Sequence, residues 1–388
     1  MKYLMSNFSR VDVAFTRGKG AKLWDSNGEK YIDFAAGIGV CSLGHASPVV
    51  IEAINTQSAM IIHSSNIYRV LPQEVLAKKI SNLLGYQTYA VFCNSGAEAN
   101  EAAIKMARKY GMTKFESKKY EILTLKNSFH GRTMATLSAT GQDKFHPEIF
   151  APYIEGFKFY DGIDEIIANI SDKTVAVMIE LIQGEGGICP LDKKSVQKLA
   201  KVLKEKNLLL ITDEVQCGVY RSGEFVASKI YGIEPDIITF AKGLAGGVPI
   251  GACVARENIF APGEHGSTFG GNHLATSTAN AVLRELEYLY ESGELKKTIA
   301  EFEENLDKIL KDFPNFFESR TGLGLMQGLV LKDSTYLSIL FAECLRNGLL
   351  VLKSGSKTLR FLPPLNIKKK EIKAGFEILR KTLEELQD

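Results

Sequence analysis

The sequence predicts an α/β protein with a large domain built on a mostly parallel sheet and a smaller α+β domain. At 388 residues the chain is long for a single ordinary domain. Through its middle, apolar runs of strand length alternate with helical patterns, which is typical of a parallel sheet covered on both faces. Near both ends this alternation is lost, so we expect the two ends to form the second unit.

The N-terminal segment is expected to contain a β-hairpin. Residues 21–34 read AKLWDSNGEKYIDF, and the pair Asn27-Gly28 is typical of a tight hairpin turn.

The large sheet is predicted from apolar runs in the middle of the chain. The first, Tyr89–Cys93 (YAVFC), precedes a helical pattern at 101–111, and another helical pattern at 196–207 precedes a later run. The further strand candidates are 120–125, 175–180, 208–212, 236–240 and 250–255. Since no helix fits between the last two, one strand can run in the opposite direction.

The C-terminal third begins with two long helical patterns, at 279–293 and 298–313, and then mixes short strands and helices. We predict that residues 1–48 and 274–388 form the small domain. Residues 49–273 would form the large domain that carries the functional site.

Composition excludes several classes of protein. Hydrophobic residues make up 45% of the chain, charged residues 24%, and the formal net charge is only +2, so nothing favours nucleic acid or an acidic membrane as partner. The six cysteines form no CxxC pair, which favours reduced thiols over disulfides or a metal site. With no signal-peptide or membrane-span pattern, we expect a cytoplasmic protein.

Three loops that follow predicted strands carry residues suited to chemistry, and ligands of open α/β sheets bind at such loops. The first is NSGAEAN at 94–100, where free N–H groups at a helix start and the Ser95 hydroxyl suit an anion. A plain helix cap by Ser95 is the alternative. Neither a Walker loop nor, in GLGLMQG at 322–328, a dinucleotide fingerprint is present.

The second loop follows LLLITD, where Asp213 ends an apolar strand. A carboxylate there needs a partner, and a pyridinium N–H⁺ would serve; a structural cap is the alternative. Val215 could pack on a cofactor ring, and Gln216 could hydrogen-bond its phenolate oxygen.

The third loop carries Lys242, in DIITFAKGLAGG. A desolvated lysine has a lowered pKa and can form a Schiff base, whereas a lysine whose amine reaches solvent is the alternative. Taken together, an anion cradle, an acid and a lysine are what pyridoxal 5′-phosphate (PLP) requires.

With these motifs the chain resembles the class III aminotransferases (ornithine-type subgroup) of PLP fold type I over nearly its whole length, from NFSR at 7–10 to LRFLPPL at 359–365. The resemblance implies the role of each matching residue and a homodimer with shared active sites. The implied roles are phosphate binding by Ser95, Gly96 and Ala97, ring stacking by Phe129, pyridinium pairing by Asp213, covalent attachment by Lys242, substrate carboxylate binding by Arg132, and a contact from Thr268 to the partner's cofactor phosphate.

Glu185, in IQGEGG, and Arg360, in LRFLPPL, resemble the gate pair of that family. The resemblance implies that Glu185 neutralises Arg360 while an amino donor is bound and releases it to bind glutamate. A surface salt bridge is the alternative.

The resemblance further implies an acylated diamino acid as donor and 2-oxoglutarate as acceptor. Ile38 stands where the ornithine branch carries a tyrosine, which favours an uncharged, acylated α-amino group. Phe8 can line the donor pocket or simply pack. A non-catalytic protein on the same fold, or a decarboxylase or aminomutase, remains the rival interpretation.

Overall fold

The computed structural model describes residues 3–116 and 118–387. It has the predicted α/β class, with a seven-stranded sheet and smaller sheets beside it. The strands are β1 Phe15–Lys19, β2 Lys22–Asp25, β3 Lys30–Asp33, β4 Tyr89–Cys93, β5 Glu121–Leu125, β6 Phe157–Tyr160, β7 Thr174–Ile179, β8 Ile182–Gln183, β9 Cys189–Pro190, β10 Leu209–Asp213, β11 Ile237–Phe240, β12 Gly251–Ala255, β13 Phe317–Leu323, β14 Met326–Leu331, β15 Leu349–Leu350, β16 Leu352–Ser354 and β17 Thr358–Phe361.

Helices cover the sheets and connect their strands. They are α1 Ala36–Gly39, α2 Pro48–Ser58, α3 Leu71–Leu84, α4 Gly96–Lys114, α5 Met134–Ala139, α6 Ile163–Ala168, α7 Lys193–Glu205, α8 Ala227–Tyr231, α9 His273–Glu291, α10 Glu294–Asp312, α11 Tyr336–Arg346 and α12 Lys369–Glu385. Within residues 3–116 and 118–387, no helix is both long enough and apolar enough to cross a membrane.

The large sheet has the strand order β4-β12-β11-β10-β7-β5-β6. Neighbours are parallel from β11 to β6, whereas β12 is antiparallel to both β11 and β4. The predicted single reversal is therefore confirmed. Because β4, β5, β7, β10 and β11 all point the same way, the loops that follow them meet at one edge of the sheet.

Both faces of this sheet are buried, as the continuous apolar runs predict. In β10, Leu209 and Ile211 pack in a cluster with the alanines of α4, while Leu210 packs on the opposite side with α7. Small residues such as Ala103 and Ala107, which are fully buried, let α4 lie close to the strands.

The predicted hairpin is confirmed, since β2 pairs antiparallel with β3. β3 in turn pairs in parallel with β15, which brings the N-terminal segment against the C-terminal third. A separate antiparallel sheet, β13-β14-β17-β16, holds Arg360 in β17. The domain boundaries themselves stay a prediction.

A pair between the partly buried His45 and the buried Asp33 stabilises the turn after β3, and we expect it to make stability depend on pH. Nε2 of His45 donates to Oδ2 of Asp33 at 2.6 Å, and Asp33 also accepts from the N–H groups of Ala35 and Ala36. Hydrogen bonds to Asp33 and to Cys41 raise the pKa of His45 to about 9. Because this pKa is above the unfolded value of about 6.5, the stabilisation is complete below pH ~6.5 and lost as pH rises through ~9.

The measurement is thermal unfolding of the wild type and of His45→Gln across pH 6–10. The variant should unfold at a lower temperature than the wild type at pH 6, and this difference should shrink above pH 9. A difference that is constant or grows with pH would contradict the assignment.

Candidate active site

A cavity of about 420 Å³ opens at the edge of the large sheet where the loops after its parallel strands meet. Nine of the residues predicted from the sequence line it, namely Ser95, Gly96, Ala97, Phe129, Arg132, Asp213, Val215, Gln216 and Lys242. These residues lie far apart along the chain, and the parallel topology brings them together.

The start of α4 forms one end of the cavity. Ser95 caps the helix by accepting from the N–H of Glu98 at 3.2 Å, so the cap that was the alternative interpretation of Ser95 is present. The N–H groups of Gly96 and Ala97 precede the first intrahelical bonds, and together with the helix dipole they favour an anion. A Cβ on Gly96 would lie 2.7 Å from Cγ1 of Val215, so this approach requires glycine.

Asp213 lies at the end of β10 and is almost fully buried. Its Oδ2 accepts from Nδ2 of Asn100 and from Nδ1 of His130, both at 2.8 Å, and its Oδ1 accepts from the N–H of Val215 at 3.0 Å. A carboxylate offers about four acceptor sites, so one more donor can be bound. This arrangement leaves Asp213 an acceptor position that suits a cationic N–H partner.

Lys242 follows β11 and lines the same cavity. Its φ of 38° is rare for a residue with a side chain, and such conformations persist where the surrounding structure enforces them. Burial lowers the pKa of Lys242; Glu185 opposes this effect, and Arg360 adds to it. A lowered pKa increases the fraction of neutral, nucleophilic amine.

Glu185 and Arg360 form the pair predicted from the sequence. Nη1 of Arg360 donates to Oε1 of Glu185 at 2.5 Å, to the carbonyl of Gly184 at 3.1 Å and to Oε1 of Gln216 at 3.3 Å. Arg360 is 3% exposed and Glu185 is partly buried, so this pair is not a surface salt bridge. Burial alone would raise the pKa of Glu185. The nearby cations Arg360 and Lys242 have the larger combined effect, so the pKa of Glu185 is lowered.

Arg132 lies at the exposed mouth of the cavity. Its guanidinium lies 3.9 Å from the ring centroid of Phe145 and 5.6 Å from that of Phe129. Stacking on two aromatic rings holds this arginine without using its hydrogen-bond donors, which stay available to a carboxylate.

Five of the predicted residues are not among those that line the cavity. Two of them are Glu185 and Arg360, whose pair reaches the lining residue Gln216 through Arg360. The other three are Ile38, Phe8 and Thr268. Ile38 is 43% exposed and Phe8 66% exposed, while Thr268 lies in an exposed loop after β12. Their roles stay predictions. Ile38 has a φ of 66°, which is unusual for a β-branched residue, and its neighbour Val40 does line the cavity.

The residues that support the site from behind were not predicted from the sequence. Asn100 and His130 hold Asp213, and Glu180 accepts hydrogen bonds from two loops. Asn100 follows Gly96 by one helical turn, and Glu180 directly follows the apolar strand β7. These two positions along the chain are the features of the sequence that could have pointed to Asn100 and Glu180.

The residues present fit PLP. An anion cradle, a hydrogen-bonded buried acid and a lysine of lowered pKa lie around one cavity, with Phe129 and Val215 as apolar walls. The protein belongs to the class III aminotransferases, whose family model matches residues 5–383, and it is a PLP-dependent aminotransferase.

Individual relatives agree with this family. The chain is 50% identical to an acetylornithine aminotransferase of Wolinella succinogenes over 98% of each chain. Among solved structures, an N-acetylornithine aminotransferase of Stenotrophomonas maltophilia is 33% identical over 97% of each chain, with a TM-score of 0.84. A Toxoplasma gondii ornithine aminotransferase with PLP at partial occupancy in its active site is 28% identical, with a TM-score of 0.92 over 100% of this chain and 92% of that one.

Proposed function

We propose that this enzyme transfers the terminal amino group of N2-acetyl-L-ornithine to 2-oxoglutarate, giving N-acetyl-L-glutamate 5-semialdehyde and L-glutamate, as a step of arginine biosynthesis. The observation that carries the proposal is the pair of Glu185 with the buried Arg360 beside Lys242, with a second arginine, Arg132, at the mouth. Such a site can accept two substrates of different charge. The names of relatives up to 50% identical support this donor.

Eight of the residues that line the cavity have a proposed task in holding PLP. Ser95, Gly96 and Ala97 bind the phosphate, Phe129 and Val215 pack on the ring, and Asp213 pairs with the ring nitrogen. Gln216 contacts the phenolate oxygen, and Lys242 holds the aldehyde carbon. When bound, the cofactor supplies an electron-withdrawing ring that stabilises negative charge on the substrate carbon.

The arginines orient the substrates. A donor is held by its carboxylate on Arg132 while Glu185 neutralises Arg360, so that no strong cation competes for the donor. For glutamate, Glu185 moves away, Arg360 binds the α-carboxylate and Arg132 the side-chain carboxylate. The Nζ atom of Lys242 moves the proton at the substrate carbon, a task suited to an amine of lowered pKa.

Donor choice is attributed to Ile38 and Phe8. An apolar residue at Ile38 leaves room for an acylated α-nitrogen and gives no polar contact to a free one. Apolar contacts discriminate only modestly, so N-succinyl-diaminopimelate, succinylornithine and ornithine are the alternatives.

The test is a donor panel with 2-oxoglutarate as acceptor, comparing kcat/KM for acetylornithine, succinyl-diaminopimelate, ornithine and GABA. Acetylornithine should give the highest value, with one glutamate formed per donor consumed. A higher value for GABA or free ornithine would refute the donor assignment, and release of CO₂ would indicate a decarboxylase.

We also propose a cytoplasmic homodimer with shared active sites. The segment between α2 and α3 carries apolar side chains that are largely exposed in the single chain, with Met60 at 75% and Ile67 at 86%. Nδ2 of Asn66 ties this segment to the loop of Thr268 by donating to the carbonyls of Ser267 and Gly270. A second copy covering this surface would bring Thr268 to the partner's phosphate site, and sedimentation should therefore give twice the mass of one chain.

A further inference from the structure

Glu180 is a buried acid that the proposed reaction does not use. It directly follows β7, is 6% exposed and lines the active-site cavity, but it pairs with no cation among the described residues. Burial raises the pKa of Glu180 to about 7, with His130 opposing and Asp213 adding to the rise. A carboxylate in such a place costs free energy, so its presence calls for a physical role.

Its hydrogen bonds join two functional loops. Oε2 of Glu180 accepts from the N–H of Phe129 at 2.8 Å, and Oε1 accepts from the N–H of Gly184 at 3.1 Å. Phe129 lies in the loop after β5, and Gly184 immediately precedes Glu185. Because β5 and β7 are parallel neighbours, the two loops leave the sheet side by side and one carboxylate can reach both.

The backbone of Gly184 is held by several contacts, so it can anchor the loop from which the side chain of Glu185 moves. Its carbonyl accepts from Oγ of Ser354 at 2.7 Å and from Nη1 of Arg360 at 3.1 Å. A Cβ on Gly184 would collide with the side chain of Gln216, so the backbone is packed tightly against the cavity wall. When Glu185 moves, the movement must therefore start after the held N–H of Gly184.

We propose that Glu180 is a positioning residue that fixes the start of the gate loop against the ring-stacking loop, and thereby sets the balance between the two half-reactions. The inference rests on the proposed function for the meaning of the gate. Without Glu180, the N–H of Gly184 loses its hydrogen-bond acceptor. The backbone that carries Glu185 in its resting pair with Arg360 is then no longer held in place. The donor half-reaction needs that pair intact, whereas the glutamate half-reaction needs it open.

The test uses Glu180→Gln, which keeps the volume but turns an NH₂ group toward one of the two N–H donors. In the holoenzyme, and in the same protein freed of PLP, amide hydrogen exchange should be faster by roughly tenfold in the peptide containing Phe129 or in that containing Gly184. Single-turnover kcat/KM should fall about tenfold more for the donor than for glutamate. Glu180→Asp, which shortens the side chain, is measured in the same way if the glutamine variant does not fold.

Glu214→Gln is the matched control. Glu214 is also fully buried and accepts from two backbone N–H groups, those of Ala227 and Ser228 at 2.9 Å, but these belong to α8. This variant should lower stability without changing the ratio of the half-reactions or exchange at Phe129 and Gly184. An unchanged ratio or unchanged exchange in the folded Glu180 variant, or an equal change of the ratio in Glu214→Gln, would overturn the proposal.

The amide exchange measurement needs no substrate, and the glutamate half-reaction needs no donor. If acetylornithine proves not to be the donor, the best substrate of the panel takes its place in the ratio. Failure of the donor assignment is thus distinguishable from failure of the inference on Glu180.

Discussion

Lys242→Ala is expected to abolish transamination, with a loss of at least about 10⁴-fold in kcat. The Nζ atom is assigned both the attachment of PLP and the movement of the substrate proton, and burial, which lowers the pKa of Lys242, suits it to both tasks. Among the described residues that line the cavity there is no second lysine, and Arg132 and His130 are the other basic side chains. No neighbouring amine is therefore in place to take over either task.

Three measurements check this expectation. The purified wild type should be yellow and lose that absorbance on addition of donor, and the variant should not respond in this way. Borohydride reduction followed by peptide mapping should place the cofactor on Lys242. The exposed Lys126, paired with Asp161 at 2.8 Å, provides the control variant Lys126→Ala, which should behave as the wild type. A cofactor tag on another lysine would refute the assignment.

The large sheet could be predicted from the sequence because its strands are buried on both faces. A short, almost wholly apolar run such as Thr174–Ile179, with helical patterns on either side, is typical of a strand inside a parallel sheet. β13 and β17 were not predicted, since Phe317–Leu323 and Thr358–Phe361 both contain an arginine and lack a clear apolar pattern. Arg360 is nevertheless buried, because its partner Glu185, 175 residues earlier, compensates its charge.

The predicted and the missed residues of the site differ in the same way: local sequence pattern points to the former, whereas the latter depend on contacts made in the fold. Lys242, Asp213 and the Gly96 turn follow strands, so local pattern and the geometry of open sheets were enough to select them. Glu180 also follows an apolar strand, but its role depends on contacts with backbone N–H groups of two loops, and those contacts are visible only in the fold. His130 could not be selected in this way, because its bond to Asp213 spans 83 residues and depends on the fold.

Arg360→Ala is expected to separate the two half-reactions. The kcat/KM of the glutamate half-reaction should fall by roughly 100-fold, because the variant removes the buried cation assigned to the α-carboxylate. The donor half-reaction should lose much less, since in that state Glu185 already neutralises Arg360 and the donor is held by Arg132. Single-turnover measurements with glutamate and with acetylornithine, each added alone to the appropriate cofactor form, report the two values separately.

Two further variants test the roles assigned to Arg360 and Arg132 in the two half-reactions. Arg360→Lys keeps the charge but loses the planar fork that binds a carboxylate through two hydrogen bonds, so its glutamate value should lie between those of the wild type and Arg360→Ala. Arg132→Ala should damage both half-reactions, because Arg132 is assigned a carboxylate of each substrate. Equal losses in both half-reactions for Arg360→Ala would mean that Glu185 and Arg360 stabilise the fold around the cavity without acting as a gate.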